Sequence, residues 1–139
     1  LATYEQRPFR YPIRGNFGKL QIRFANDRRV VAMASTCIPE ADRIQTTLAS
    51  ITVKLKPEDV SNQLLNNPIS YRDAAGTQQT FKVAGTTQVK PRELVTFVRA
   101  SKNKPDALEF HIAWEVEVVS APVRRVYVDA VNGEIMAAE

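Results

Sequence analysis

Between residues 108 and 120 the chain reads "LEFHIAWEVEVVS", and apolar and polar positions repeat there with a period of two. On an extended backbone Phe110, Ile112, Trp114, Val116 and Val118 point one way, while His111, Ala113, Glu115 and Glu117 point the other. The spacing predicts a strand with one face on a core and one face in solvent. Burying such an apolar face contributes about 1.5–3 kcal/mol per large side chain before entropy is subtracted. The stretch "RRVYVDAVNGEIMAA", residues 124–138, has a related form. Val126, Val128 and Ala130 lie on one side of it, and Tyr127 and Asp129 on the other. Asn132-Gly133 is the dipeptide best suited to supply the two φ > 0 residues of a tight hairpin turn, and Glu134-Ile135-Met136 begins a second run.

The same alternation occurs near the start. In "KLQIRF" Leu20, Ile22 and Phe24 alternate with Gln21 and Arg23, Ala25-Asn26-Asp27 has turn chemistry, and "RRVVAMAS" resumes with β-branched and apolar residues. Residues 15–34 are therefore expected to form a hairpin. A helical period replaces it after Pro39: Ile44, Leu48 and Ile51 stand at i, i+4 and i+7, although Thr46-Thr47 and "ITVKL" favour strand. "KPEDVSNQLLNNP" is the better helix. Pro57 suits its first position, Glu58 and Asp59 the positive end of its dipole, and Asn67-Pro68 stops it. Beyond it "ISYRD", "QTFKVA" and "RELVTFVR" read as short strands separated by Gly76, Gly85-Thr86 and Lys90-Pro91, and "ASKNKPDA" as a polar loop broken by Pro105. Strands and helices segregated in this way predict an α+β fold. Its form would be a curved antiparallel sheet packed on one or two helices, preceded by a β-hairpin subdomain.

Composition bears on function more than on fold. A chain of 139 residues, 44% apolar and 24% charged, is an ordinary globular domain or two very small ones. With no run of eighteen apolar residues, no membrane span is expected. Residues Leu1–Glu5 lack the basic start and apolar core of a secretory signal, as a trimmed exported protein also would. The net charge of +4 permits an acidic partner, but the bases are dispersed as pairs such as Arg28-Arg29 and Arg124-Arg125 among 15 acids. Neither a recognition helix nor a basic–aromatic cluster accompanies them, so nucleic acid is not the expected partner.

Reactive groups are sparse. Cys37 is the one cysteine, which rules out a disulfide within the chain and a cysteine metal cage. Free cysteines are usually buried, so Cys37 is expected to be a small buried hydrophobe rather than a reactive thiol. His111 is the one histidine. An acid/base pair with Glu115 is conceivable, a solvated polar face being the plainer reading. There is no His-Glu-x-x-His helix, no Gly-x-Ser-x-Gly elbow and no glycine-rich phosphate cradle among five glycines. "NDRR" lacks the length and acid spacing of a calcium loop, and capping explains Glu58-Asp59. No catalytic residue, cofactor or metal site is expected, and the chain is expected to work by contact rather than as an enzyme.

The late stretches also carry a resemblance. Trp114, Val116 and Val118, followed by Tyr127, Val128, Asp129, Ala130, Gly133 and Glu134, resemble the PepSY module that closes the propeptides of thermolysin-like and fungalysin-like secreted metalloproteases. That module reads as an apolar "(L)xWxVxV" strand followed by "vyVDAxtGev". "RELVTFVR" is similar to its preceding strand and "LKPEDVSNQLL" to its helix. "GNFGKLQIRFANDRRVVAMASTCIPE" is similar to the end of the companion fungalysin/thermolysin propeptide motif through Gly18, Leu20, Ile22, Asp27, Val30 and Pro39. It departs from that motif in lacking a glycine at Asn26-Asp27-Arg28 and in having Ser35-Thr36 where another glycine is common.

The resemblance implies a hairpin segment over 1–39 and a PepSY-like, cystatin-like domain over 40–139, with 68–91 a candidate insertion. It implies a non-catalytic region of a zinc metalloprotease precursor, or zymogen, secreted into a periplasmic or extracellular space. Such a propeptide is an intramolecular chaperone and an inhibitor of its cognate metalloprotease catalytic domain. The segment nearest the protease cleft would be Ile135, Met136, Ala137, Ala138 and Glu139. Tyr127 and Asp129 would either contact the protease or serve as an aromatic cover and a turn-setting carboxylate beside Asn132. The alternative is a stand-alone exported PepSY-type binding module or protease inhibitor acting in trans.

Overall fold

The computed structural model describes residues 2–15, 17–27, 29–101, 103–104 and 107–139, with the backbone alone at 24, 30, 31 and 86. Arg28, Pro105 and the side chains of Phe24 and Val30 thus lie outside the described residues. The chain divides into two compact units, 1–51 with 96–110, and 52–95 with 111–139.

The first unit holds strands β1 (Ala2–Glu5), β2 (Ile13–Arg14), β3 (Lys19–Phe24) and β4 (Val30–Ser35) and helix α1 (Ala41–Ala49). β3 and β4 form the expected hairpin, with Leu20 opposite Ser35 and Ile22 opposite Met33. Its turn is held by Asp27, whose Oδ1 accepts from Arg29 N at 3.1 Å. β1 adds a third antiparallel strand on the other side of β3, pairing Ala2 with Ile22 and Tyr4 with Leu20. Directly paired residues share a face, so Ala2, Tyr4, Leu20, Ile22 and Met33 form the apolar side of this small sheet. Gln6 closes the segment behind it: its amide donates to Ile38 O at 3.0 Å and accepts from Ile38 N at 2.6 Å. Phe9 meets Phe110 edge to face at 6.0 Å. In α1, Leu48 is buried, while Ile51 falls beyond the last helical residue. Cys37 is exposed rather than buried, because it sits in the loop that leaves β4.

The second unit begins with helix α2 (Pro57–Asn66), whose first-position proline and Asp59 cap match the sequence signals; Lys56 N donates to Asp59 Oδ2 at 3.0 Å. Strands β5 (Ile69–Arg72) and β6 (Gln78–Phe81) then make a separate hairpin with Tyr71 and Phe81 in edge contact at 5.7 Å. The long strands β7 (Val89–Ala100) and β8 (Leu108–Val118) follow, and β9 (Arg125–Asp129) and β10 (Ile135–Ala138) close the chain. The hydrogen-bonded order is β10-β9-β8-β7. In the first unit the later residues of β7 take β2 as a parallel neighbour, Ile13 opposite Thr96 and Arg14 opposite Phe97.

The core of the second unit lies on the even-numbered face of β8 and β9. Val116, Val118, Val126 and Val128 join Val60 and Leu64 of α2, with Ile69, Val83, Val89 and Val123. Trp114 packs half-buried against this cluster and donates Nε1–H to Leu55 O at 3.0 Å, which satisfies its one polar atom. Residues 68–91 supply Ile69, Val83 and Val89 to it.

These observations correct the α+β expectation of a sheet packed on helices in the PepSY or cystatin manner. Among the described residues the protein is mostly β, with 43% strand and ten strands in three sheets, and the two helices are short. The physical reason is visible in the core. Of the ten buried residues in the cluster only Val60 and Leu64 come from a helix. Strand and loop residues, most of them valines, supply the rest of the apolar cover that helices were expected to give. No helix among the described residues is long and apolar enough to cross a membrane.

Candidate functional site

The polar face of β8 and β9 is the chemically richest part of the chain. Cross-strand pairing places Glu117 opposite Arg125, Glu115 opposite Tyr127 and Ala113 opposite Asp129. Alternation along each strand puts these odd-numbered side chains together on the face opposite the valine cluster. The expectation that this face is solvated fails at Ala113, Glu115, Tyr127 and Asp129, while the Glu117 side chain keeps 44% of its surface. Ala113 is fully buried, and Tyr127, Asp129 and Glu115 retain 2%, 3% and 7% exposure. Polar groups buried to that extent need partners, and each has them.

Asp129 is the first organising group. Its Oδ2 lies 2.8 Å from His111 Nδ1, and its Oδ1 accepts from Val131 N at 2.7 Å and Asn132 N at 3.1 Å. A carboxylate that takes donors from the second and third residues after it bends the chain by itself. The turn is therefore not the two-residue type expected from Asn132-Gly133, which would need φ > 0 at both. Only Gly133 has positive φ, at 79°, and the hairpin closes with Asp129 N donating to Glu134 O at 2.8 Å. His111 is thus paired with Asp129, whereas Glu115 stands about 13 Å further along its strand, too far for a proton-sharing pair in one extended segment.

Tyr127 is the second. Its hydroxyl lies 2.9 Å from Glu139 Oε1 and 3.4 Å from Glu115 Oε1. Arg125 spans the same two acids, with Nη1 3.4 Å from Glu115 Oε1 and Nε 3.6 Å from Glu139 Oε1. The backbone of Glu139 is fastened as well: its N donates to Arg125 O, and its O accepts from the N–H groups of Arg124 and Arg125. Next to this cluster an open groove of about 390 Å³ is lined by Arg92, Glu93, Glu115, Glu117, Arg124 and Arg125. Arg92 Nε donates to Glu117 Oε2 at 2.6 Å across it.

Burial pushes the Tyr127 phenol above its ordinary value of 10.0, helped by the Glu139 hydrogen bond and the charges of Glu139 and Glu115 and opposed by Arg125. A raised folded value means that the phenol's contribution is complete below the unfolded value and is lost as pH climbs past it. Between pH 9 and 11 the wild-type chain is expected to lose about 1 kcal/mol that Tyr127→Phe does not lose. Urea unfolding at the two pH values measures this difference, and equal losses in the two proteins would contradict the assignment.

No family model matches this chain, and neither the curated proteins nor the solved structures contain a match.

The contact residues expected from the resemblance all fall on one hairpin, β9 and β10 with the residues that join and follow them. Ile135, Met136, Ala137 and Ala138 form β10, half-buried and paired to β9, and Glu139 follows them with its surface exposed. Tyr127 and Asp129 are buried and hold the hairpin from within, the Tyr127 hydroxyl being taken by Glu139. Arg125, Glu115 and His111 complete the site as partners that the linear pattern did not join. Among the described residues no three His, Cys, Asp or Glu side chains are gathered as a metal site.

Proposed function

We propose that the chain is a contact domain of a secreted metalloprotease precursor, a propeptide that helps the catalytic domain to fold and then holds it inactive. The observation that supports this reading is the pairing of the two segments that carry the resemblance. Trp114 lies opposite Val128 and Val116 opposite Val126, and β10 extends the same ladder outward. A preformed ladder of this kind offers a slowly folding partner contacts that it need not assemble itself, and anything that binds the folded state stabilises it by mass action. Continued binding then blocks the surface it covers. Contact falls on Ile135, Met136, Ala137, Ala138 and Glu139, with Tyr127 and Asp129 fixing the angle at which they are presented. Helical cover has no part in this.

The reading frame beyond residue 139 is expected to encode a domain with a His-Glu-x-x-His helix. That domain, diluted from denaturant together with the purified chain, is expected to recover more hydrolytic activity after removal of the chain than when refolded alone. The folded domain is expected to lose peptide hydrolysis when the chain is added back. A frame without such a domain, or a domain on which the chain has neither effect, overturns the reading.

A further inference from the structure

Beside the groove, at the terminal hairpin, one carboxylate is already seated. Glu139 Oε1 lies 2.9 Å from Tyr127 Oη and 3.6 Å from Arg125 Nε, which is a donor pair suited to an acid side chain. Tyr127 is only 2% exposed, so its hydroxyl is fixed in place by the fold, whereas the Glu139 side chain keeps 58% of its surface and the site is reachable from solvent. The groove, of about 390 Å³, adjoins this seat and shares Glu115 and Arg125 with it. Within it the carboxylates are engaged: Glu117 with Arg92, Glu115 with Arg125 and Tyr127, and Glu93 within the chain as well. Arg124 differs. Its side chain is exposed and, among the described residues, has no partner, so it presents a complete guanidinium fork to an incoming group. Glu115 beside Tyr127 repels an anion seated more deeply, which keeps a bound carboxylate at the rim where Glu139 sits.

We infer that this groove and the Glu139 seat beside it form a carboxylate-recognition site for an acidic segment of a protein partner, with Glu139 as the resident occupant of the seat and Arg124 as the open donor of the groove. The inference deepens the contact reading and rests on it for the partner's being a protein. An acid from the partner competes with Glu139 for Tyr127 and Arg125, and gains Arg124 as it enters. Recognition is of charge: an amide cannot match the charge-assisted bonds of the two guanidinium groups.

The test uses the isolated chain and two synthetic peptides, acetyl-Ala-Ala-Glu-Ala-Ala-amide and its glutamine counterpart, followed through the NMR signals of the Tyr127 ring and the Arg125 Nε–H. The glutamate peptide is expected to shift both signals saturably and to bind Glu139→Ala about ten-fold more tightly than wild type, the change that follows from freeing one charge-assisted hydrogen-bond site. Adding Arg124→Ala is expected to weaken that binding about ten-fold. The glutamine peptide is expected to cause no shift. Both substitutions are at exposed residues, and unchanged backbone amide spectra report that the fold is kept. Equal binding of the two peptides, equal affinity for wild type and Glu139→Ala, no effect of Arg124→Ala, or no binding to any variant each overturns the proposal. Because no protease enters the measurement, these results stand apart from the fate of the propeptide reading.

Discussion

Asp129→Ala is expected to destabilise the chain by about 3 kcal/mol, seen as a shift of the urea midpoint with little change in slope and a fall in melting temperature of roughly 10 °C. The size follows from what the substitution leaves behind. Asp129 is 3% exposed and serves three donors at once: Val131 N, Asn132 N and His111 Nδ1. Removing the carboxylate leaves part-buried N–H groups without an acceptor, at about 1–3 kcal/mol for each that water cannot reach. It also takes away the group that bends the chain between β9 and β10. Asp129→Asn keeps an oxygen where Oδ1 stands and keeps the shape, so it is expected to cost about 1 kcal/mol. A double-mutant cycle with His111→Ala isolates the His111 arm from the turn arm, and a coupling energy near zero would mean that the turn carries the whole effect. If Asp129→Ala costs less than about 1 kcal/mol, the buried network does not organise the hairpin.

The hairpin is legible in the sequence to an uneven degree. The alternation of Trp114, Val116 and Val118 and of Val126 and Val128 marks β8 and β9 with the correct inward faces, because a period of two sustained over several residues fits an extended chain and does not fit a helix. The proline and acids at the start of α2 mark that helix for equally local reasons. What alternation cannot say is what lies over the other face. It assigns His111, Glu115 and Tyr127 to a side, and on a polar side water is the default neighbour. Burial of that side depends on Glu115 standing opposite Tyr127, a register set by the connection from β8 to β9 rather than by either strand. The role of Asp129 is within reach of the sequence, since an aspartate two and three residues ahead of the N–H groups it binds is an ordinary turn former, but Asn132-Gly133 is the stronger local signal and points to a different turn. The seat of Glu139 on Tyr127 has no local signal at all. At the other end, β1 and β2 have only four and two residues, too short to show a period, and β2 exists because β7 lies beside it. The expected share of helical cover is too large for a related reason: a stripe such as Val60 and Leu64 announces itself, while isolated valines such as Val83 and Val123 that fill a core from loops do not.

Gly15→Ala is expected to be more damaging still, at about 4 kcal/mol, although it adds one methyl group to an exposed residue. Gly15 has φ of 94°, where a side chain is strained, and a Cβ built there runs into the carbonyl oxygen of Val98. Neither atom can swing aside, since one is fixed to the backbone that follows β2 and the other belongs to the backbone of β7. The conformational strain is worth about 1–3 kcal/mol and the overpacking a similar amount. Relief can come only by moving β2 away from β7, and β2 has little to resist with. It is two residues long, flanked by Thr96 N donating to Pro12 O at 2.8 Å and Thr96 Oγ1 donating to Tyr11 O at 3.1 Å. The damage is therefore expected to be local first, with hydrogen exchange at the Thr96 amide rising well beyond that at Val126, whose strand lies in the other unit. Gly85→Ala makes the matching control. A Cβ at Gly85 meets nothing within 4 Å and its φ is not in the left-handed region, so this change is expected to stay within about 0.5 kcal/mol of wild type or to stabilise slightly through the unfolded chain. Two Gly→Ala variants with equal midpoints would show that β2 does not approach β7 as closely as the backbone here requires.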